Sequence, residues 1–220
     1  MTQTLPTSDI TAFAGTYVDL AFPVFGNTIA IDHGYALYGA VAKQVEWLHG
    51  EDAKRERAGI FPIRGTPGGD NTLLLGPGSA VRIRVPACRL PTLLPLAGKL
   101  LMIDGHRVQV GAPGVMALEP AATLVSPLVL IKLADSGHKD IGGVVPPDLF
   151  LPAVRRQLDA LGIAAEPALP THDTGPHAGQ PRRRVIRVKQ QTHVGYTVLI
   201  TGLTAGESVR LQEHGLGGRR

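Results

Sequence analysis

The chain has 220 residues, 44% of them hydrophobic and 18% charged, which excludes a disordered polymer and allows one large domain or two small ones. Aromatic residues make up only 5%, which excludes a nucleic-acid contact built mainly on stacking. The net charge of +4 is uneven: from Pro181 to Arg220 eight Lys or Arg stand against two Glu, a surplus of +6 that leaves −2 for the rest and suits either an acidic polymer as partner or a plain solvated basic face.

Met1 to Asp9 lacks the basic flank and apolar core of a signal peptide, and the single Cys88 has no intrachain partner, so a cytoplasmic, reducing compartment is expected. Thr16 to Val24 predicts a strand, with Val18, Leu20 and Phe22 alternating with Tyr17, Asp19 and Ala21. After a short loop, Asp32 is placed to N-cap a helix with Leu37, Val41, Val45 and Leu48 as its apolar stripe. That helix is expected to end near His49-Gly50, with Gly50 as its C-cap. His33 then falls in the first turn, where unpaired N–H groups and the positive end of the helix dipole favour an anion. An imidazole there suits proton transfer around a phosphate, and equally suits a capping or packed surface histidine.

Glu51 to Arg57 is expected to be an exposed charged loop. Ile60 to Ile63, Thr72 to Leu75 and Ala80 to Val85 predict short strands between Gly- and Pro-rich turns. In the last of them Arg82 and Arg84 share one face, a placement that fits a phosphate contact or simple solubility. Leu90 to Ala97 reads as a short helix despite Pro91 and Pro95. Leu100 to Ile103 and Arg107 to Val110 predict a hairpin turning at Asp104-Gly105. This order fits an α+β sandwich with helices on one face of an antiparallel sheet.

After Gly111-Ala112-Pro113-Gly114 the pattern begins again, which divides the chain into residues 1–114 and 115–220. Leu124 to Leu133 is strand-like; with Pro127 and Lys132 inside it, it is too short to span a bilayer, so no membrane partner is expected. A loop from Gly137 to Pro147 leads to a helix from Asp148 to Leu161, with Leu149, Val154, Leu158 and Leu161 inward. Ala165 to Pro181 predicts a mobile loop. Its His172, Asp173 and His177 look like metal ligands, but with no further ligand near no metal is expected, nor any other cofactor. Arg182 to Lys189 and Tyr196 to Ile200 predict paired strands, followed by a short helix from Gly206 to His214. In the closing run Gly215-Leu216-Gly217-Gly218-Arg219-Arg220 the glycines let backbone N–H groups approach a phosphate and the arginines supply charge. The two halves therefore read as βαββαβ-like, with a glycine- and arginine-rich loop late in the second.

Several stretches carry a family resemblance: Val18-Asp19-Leu20-Ala21-Phe22-Pro23, Asp32-His33-Gly34-Tyr35-Ala36-Leu37-Tyr38, Leu96-Ala97-Gly98-Lys99, and the block from Glu207 to Arg220. In these the chain resembles the CRISPR-associated endoribonucleases that cut repeat RNA into guide RNAs, in particular their Myxan-subtype branch. These enzymes belong to the RAMP superfamily, so the resemblance implies tandem ferredoxin-like, RRM-like halves with antiparallel sheets. In the family the glycine-rich loop runs on into a last strand, whereas this sequence stops at Arg220, so that strand is expected to be missing.

The resemblance further implies metal-independent cleavage of precursor CRISPR repeat RNA by attack of the 2′-hydroxyl, leaving 2′,3′-cyclic phosphate and 5′-OH ends. On that reading His33 is the proton-transfer residue, as base or as acid, because an imidazole titrates near working pH. Tyr38 and Tyr35 would orient the phosphate or the attacking hydroxyl, with Lys43 a weaker candidate helper. RNA contacts are assigned to Arg82, Arg84, Lys99, Arg182, Arg183, Arg184, Arg187, Lys189, Gly215, Gly217, Gly218, Arg219 and Arg220. Other subunits of a CRISPR effector complex are further candidate partners. The rival from the same fold is a non-catalytic RNA-binding subunit of such a complex. A phosphate-ester enzyme with the glycine loop as anion cradle lacks any Gly-Lys-Ser/Thr signature.

Overall fold

The computed structural model describes residues 16–51, 53, 56–131, 145–188 and 191–217. They fall into two compact units, divided between Leu118 and Glu119.

The first unit begins with β1 (Tyr17–Phe25), β2 (Thr28–Ala30), α1 (Gly34–Ala42) and a 3-10 turn (Glu46–His49). Strands β3 (Gly59–Phe61), β4 (Thr66–Pro67), β5 (Thr72–Leu74) and β6 (Ala80–Pro86) follow. A short helix, α2 (Leu90–Leu93), bounded by 3-10 turns, leads to β7 (Leu100–Ile103), β8 (His106–Val110) and β9 (Gly114–Ala117). The main sheet runs β3-β6-β1-β8-β7, each strand antiparallel to its neighbour, with β9 also paired antiparallel to β1. Strands β2, β5 and β4 make a small second sheet.

Alternation explains the main sheet. Val18, Leu20 and Phe22 of β1 and Val81, Ile83 and Val85 of β6 enter one core with Leu37 and Val41 of α1. Each such side chain contributes roughly 1.5–3 kcal/mol by leaving water. The β7–β8 hairpin turns where expected: Asp104 and Gly105 both have positive φ, 49° and 83°, the backbone that a two-residue turn between twisted strands requires.

The first helix departs from expectation at both ends. His33, not Asp32, is the N-cap, and it makes no side-chain capping bond. The helix stops at Ala42, because Val45 is extended (φ −129°, ψ 91°) and the chain turns back through Glu46–His49. Val45 and Leu48 remain buried, so the apolar stripe holds although the single helix does not. Gly50 has ordinary φ, −75°, and is not a left-handed cap.

The second unit contains β10 (Thr123–Val129), α3 (Pro147–Ala160), β11 (Glu166–Ala168), β12 (Arg183–Val188), β13 (Gln191–Thr201) and α4 (Ala205–His214). Its antiparallel sheet runs β10-β13-β11, with β12 also on β13, and among the described residues no strand follows α4. Helix α3 buries Phe150, Ala153, Val154 and Leu158; Leu149, expected inward, is exposed, because the face toward the sheet is set one residue later. The segment expected to be a mobile loop is partly ordered by pairing: Glu166–Ala168 lies against β13, and Arg182 N–H reaches Pro170 O at 2.8 Å. Gly195 faces Val129 so closely that a Cβ would sit 2.4 Å from its carbonyl oxygen, which fits the register shift of β10 between Ser126 and Val129. A reciprocal capping box, Thr204 with Glu207, starts α4.

Candidate active site and RNA-contact residues

His33 is only 1% exposed. Its Nε2 accepts the Ile63 N–H at 2.9 Å, and its Nδ1–H donates to Ala30 O at 2.7 Å. A backbone N–H can only donate, so Nε2 keeps its lone pair and the proton sits on Nδ1. Both ring nitrogens are committed to the backbone, and the ring joins the end of β2, the start of α1 and the chain after β3. The expectation of a histidine beside an anion in the first turn, placed for proton transfer, is therefore corrected: the ring is buried and both its nitrogens are bonded to backbone. The reason is simple: two backbone groups need partners, and the imidazole supplies both.

The groove instead lies along the outer side of α1. A concavity of about 450 Å³ is lined by Tyr35, Tyr38, Lys43, His49 and Met102, with Ala36, Gly39 and Ala40 forming its floor. Tyr35, Tyr38, Lys43 and His49 are all exposed, and no carboxylate lines the groove. The broken helix explains the grouping. Fourteen residues of straight helix would separate Tyr35 from His49 by about 21 Å. The turn at Lys43–Val45 and the 3-10 segment bring His49 back, and Tyr38 Oη donates to Leu48 O at 3.0 Å, tying the returning chain to the helix. Tyr35, Tyr38 and Lys43 thus line one groove together with His49, which sequence periodicity treats as a helix end. The only signal for His49 in the sequence was that it follows the last stripe position, Leu48.

The other expected contacts divide by what already holds them. Arg84 is buried and donates from Nε and Nη2 to the two oxygens of Asp19, at 2.7 and 2.9 Å. Its expected role as a phosphate contact is corrected: Asp19 and Arg84 are register partners in β1 and β6, on the face opposite the core. Arg82 is more exposed, lying 3.9 Å from Asp19 and with its guanidinium carbon 4.2 Å from the Phe61 ring centroid. Burial lowers the Arg82 pKa from its ordinary value; Asp19 opposes this, and Arg64 and Arg84 add to the lowering. Lys99 is exposed just before β7.

In the second unit Arg182 is exposed but engaged, through Thr171 O at 2.8 Å and Asp173 Oδ2 at 3.1 Å. Arg183 lies over Tyr196, 5.4 Å from the ring centroid, and Arg183 and Arg184 are both exposed on β12. The two described glycines of the closing run differ from expectation. Gly215 N–H bonds Leu211 O at 2.7 Å, and Gly217 N–H bonds Gln157 Oε1 at 2.8 Å, so both donors expected to meet a phosphate are already used inside the unit. The Arg187 side chain, and Lys189, Gly218, Arg219 and Arg220, lie outside the described residues. Among the described residues no group of three or more His, Cys, Asp or Glu is placed to hold a metal ion, and no helix is long and apolar enough to cross a membrane.

Residues 18–220 match the family described as Cas6 Crispr. A CRISPR-associated endonuclease Cas6 of Myxococcus xanthus (strain DK1622) is 37% identical over 204 residues, covering 93% of this chain and 77% of that protein. Among solved structures, a CRISPR associated protein Cas6 superposes with a TM-score of 0.60 at 12% identity, covering 93% of this chain and 94% of the other. A Cas6-related protein from Pyrococcus furiosus gives 0.58 at 12% identity over 92% and 93%. A RAMP protein described as binding different RNA substrates gives 0.59 at 12% identity over 92% and 94%. At that identity the structural likeness concerns the fold alone.

Proposed function

The chain belongs to the Cas6 family of CRISPR-associated endoribonucleases, and we propose that it cuts CRISPR repeat RNA in the groove beside α1, with the exposed His49 rather than the buried His33 in the proton-transfer role. The observation that carries this reading is the meeting of an exposed imidazole, an exposed ammonium and an exposed phenol in one groove without a carboxylate.

The chemistry needs no metal. The 2′-oxygen attacks the adjacent phosphorus in line while the bond to the 5′-oxygen breaks, which gives a 2′,3′-cyclic phosphate and a 5′-hydroxyl. One proton leaves the 2′-hydroxyl and one reaches the departing 5′-oxygen, and a histidine at such a site serves either transfer. Negative charge grows on the phosphoryl oxygens in the transition state. Lys43 answers it, and a groove without carboxylates does not oppose it. The Tyr35 hydroxyl is free to orient the phosphate or the attacking 2′-hydroxyl. Tyr38 acts differently, through its bond to Leu48, by fixing where His49 sits.

Binding of the strand is assigned to the exposed cations Lys99, Arg183 and Arg184 and to the half-buried Arg82, each of which would displace condensed counterions from the RNA. The test is incubation of the full chain with labelled repeat RNA in excess chelator, with both product ends mapped. Cutting at one position to cyclic-phosphate and 5′-OH ends, lost in His49→Ala with RNA affinity kept, supports the reading. Intact RNA held without cutting would make the protein a binding subunit of a CRISPR ribonucleoprotein instead.

A further inference from the structure

We propose that the groove continues past Lys43 into a seat for one nucleobase, formed by Met102 and Leu100 on the edge of the first unit's sheet, which receives the base next to the scissile phosphate. This rests on the cleavage reading above. A second concavity of about 220 Å³ lies beside α1 and is lined by Lys43, Gln44, Leu100 and Met102. It shares Ala40, Lys43 and Met102 with the first, so the two form one trough with Lys43 at the junction.

The second lobe is open, and its walls are polar at Lys43 and Gln44 and apolar at Leu100 and Met102. Leu101 and Ile103 point into the core, whereas the alternate residues Leu100 and Met102 are 43% and 55% exposed. Strand β7 ends the sheet order, and large apolar side chains on an edge strand invite unwanted pairing, so their exposure calls for an occupant. The volume falls below the ~300 Å³ at which pockets for whole small ligands begin, which fits a single planar ring. Charge selects the ring's carrier: Lys43 stands at the junction and neither lobe has a carboxylate, so a phosphodiester fits between them. Met102 is suited to lie against a base, because its thioether is polarisable and its three side-chain torsions adapt to a flat surface. Gln44 offers both a donor and an acceptor to the base edge, the means for a preference among bases.

The experiment is equilibrium binding of the full chain to repeat RNA in chelator, using intact RNA and RNAs made abasic at each nucleotide flanking the cut. Met102→Ala is expected to weaken binding of intact RNA roughly five- to tenfold. That penalty should vanish on RNA abasic at one flanking position, and Met102→Leu should keep affinity near wild type. Equal affinity of wild type and Met102→Ala for intact RNA overturns the seat, as does a penalty unchanged on every abasic RNA. Cleavage is followed on the same RNAs. A base-dependent Met102 penalty without cutting removes the nuclease reading and keeps the seat, while normal cutting without the penalty does the reverse. Failure of the wild type to bind any repeat RNA overturns both.

Discussion

The Tyr38 hydroxyl donates to the carbonyl oxygen of Leu48 at 3.0 Å, across ten residues of chain. That bond closes the fold-back from α1 into the 3-10 turn and so sets where the next residue, His49, stands. Tyr38→Phe removes one neutral hydrogen bond, a loss of about 0.5–1.5 kcal/mol. The expected result is single-turnover cleavage slowed roughly tenfold with RNA affinity and the pH profile unchanged. Rapid-quench rates alongside filter binding check this; an equal loss in affinity would show that Tyr38 contacts RNA directly.

The two histidines should separate stability from chemistry. His33→Ala leaves the buried Ile63 N–H unpaired, a loss of roughly 1–3 kcal/mol, and also removes the bond to the half-buried Ala30 carbonyl. It is expected to melt well below wild type. His49→Ala, at an exposed position, should melt with wild type yet cut about 10²- to 10⁴-fold more slowly, the usual worth of general acid–base help. Thermal melts and cleavage rates on both variants decide it, and a well-folded His33→Ala protein with no activity would return the role to His33.

Asp19 and Arg84 form a buried, two-pronged ion pair, with side chains 7% and 9% exposed. Asp19→Ala removes both carboxylate bonds from the buried guanidinium, and the expected cost is about 3–5 kcal/mol. Replacing both partners, as Asp19→Ala with Arg84→Met, should recover most of that loss because no charge then remains buried. Urea denaturation of the single and double variants measures the difference.

Glu207 predicts a response to acid. Its carboxylate accepts from the Thr204 N–H, the Ala164 N–H and the Thr204 hydroxyl, and these bonds hold its pKa below the ordinary carboxylate range. A pKa lower in the folded state than in the unfolded one stabilises the fold above the unfolded value of ~4.3 and stops doing so as pH falls through the folded value. The gap in melting temperature between wild type and Glu207→Gln should therefore be full at pH 6 and shrink below about pH 4. A gap that grows on acidification would contradict the assignment.

Much of the fold was legible because it is local. The alternation in Val18, Leu20 and Phe22 shows as a strand, Asp104-Gly105 as the two-residue turn of the β7–β8 hairpin, and the closing β12–β13 pair as adjacent alternating runs. The stripe Leu37, Val41, Val45 and Leu48 named four core residues correctly while concealing a break, since Val45 and Leu48 are buried either along one helix or across a fold-back. Leu149 and Phe150 were exchanged on α3 for a related reason: both are apolar neighbours, and only the sheet beneath selects between them.

By itself, the sequence determined the antiparallel α+β plan, the core-facing strands and the family, because each depends on side-chain period or on motifs read within a few residues of one another. Only the tertiary structure decided which neighbours each polar side chain meets. It showed that His33 satisfies Ala30 and Ile63, that Arg84 belongs to Asp19, that Gly217 belongs to Gln157, and that His49 returns to Tyr35 and Lys43. The physical reason is common to all four. A polar side chain's role follows from what lies beside it, and Ile63, Asp19 and Gln157 lie 30, 65 and 60 positions from the groups they meet, distances that no local period encodes.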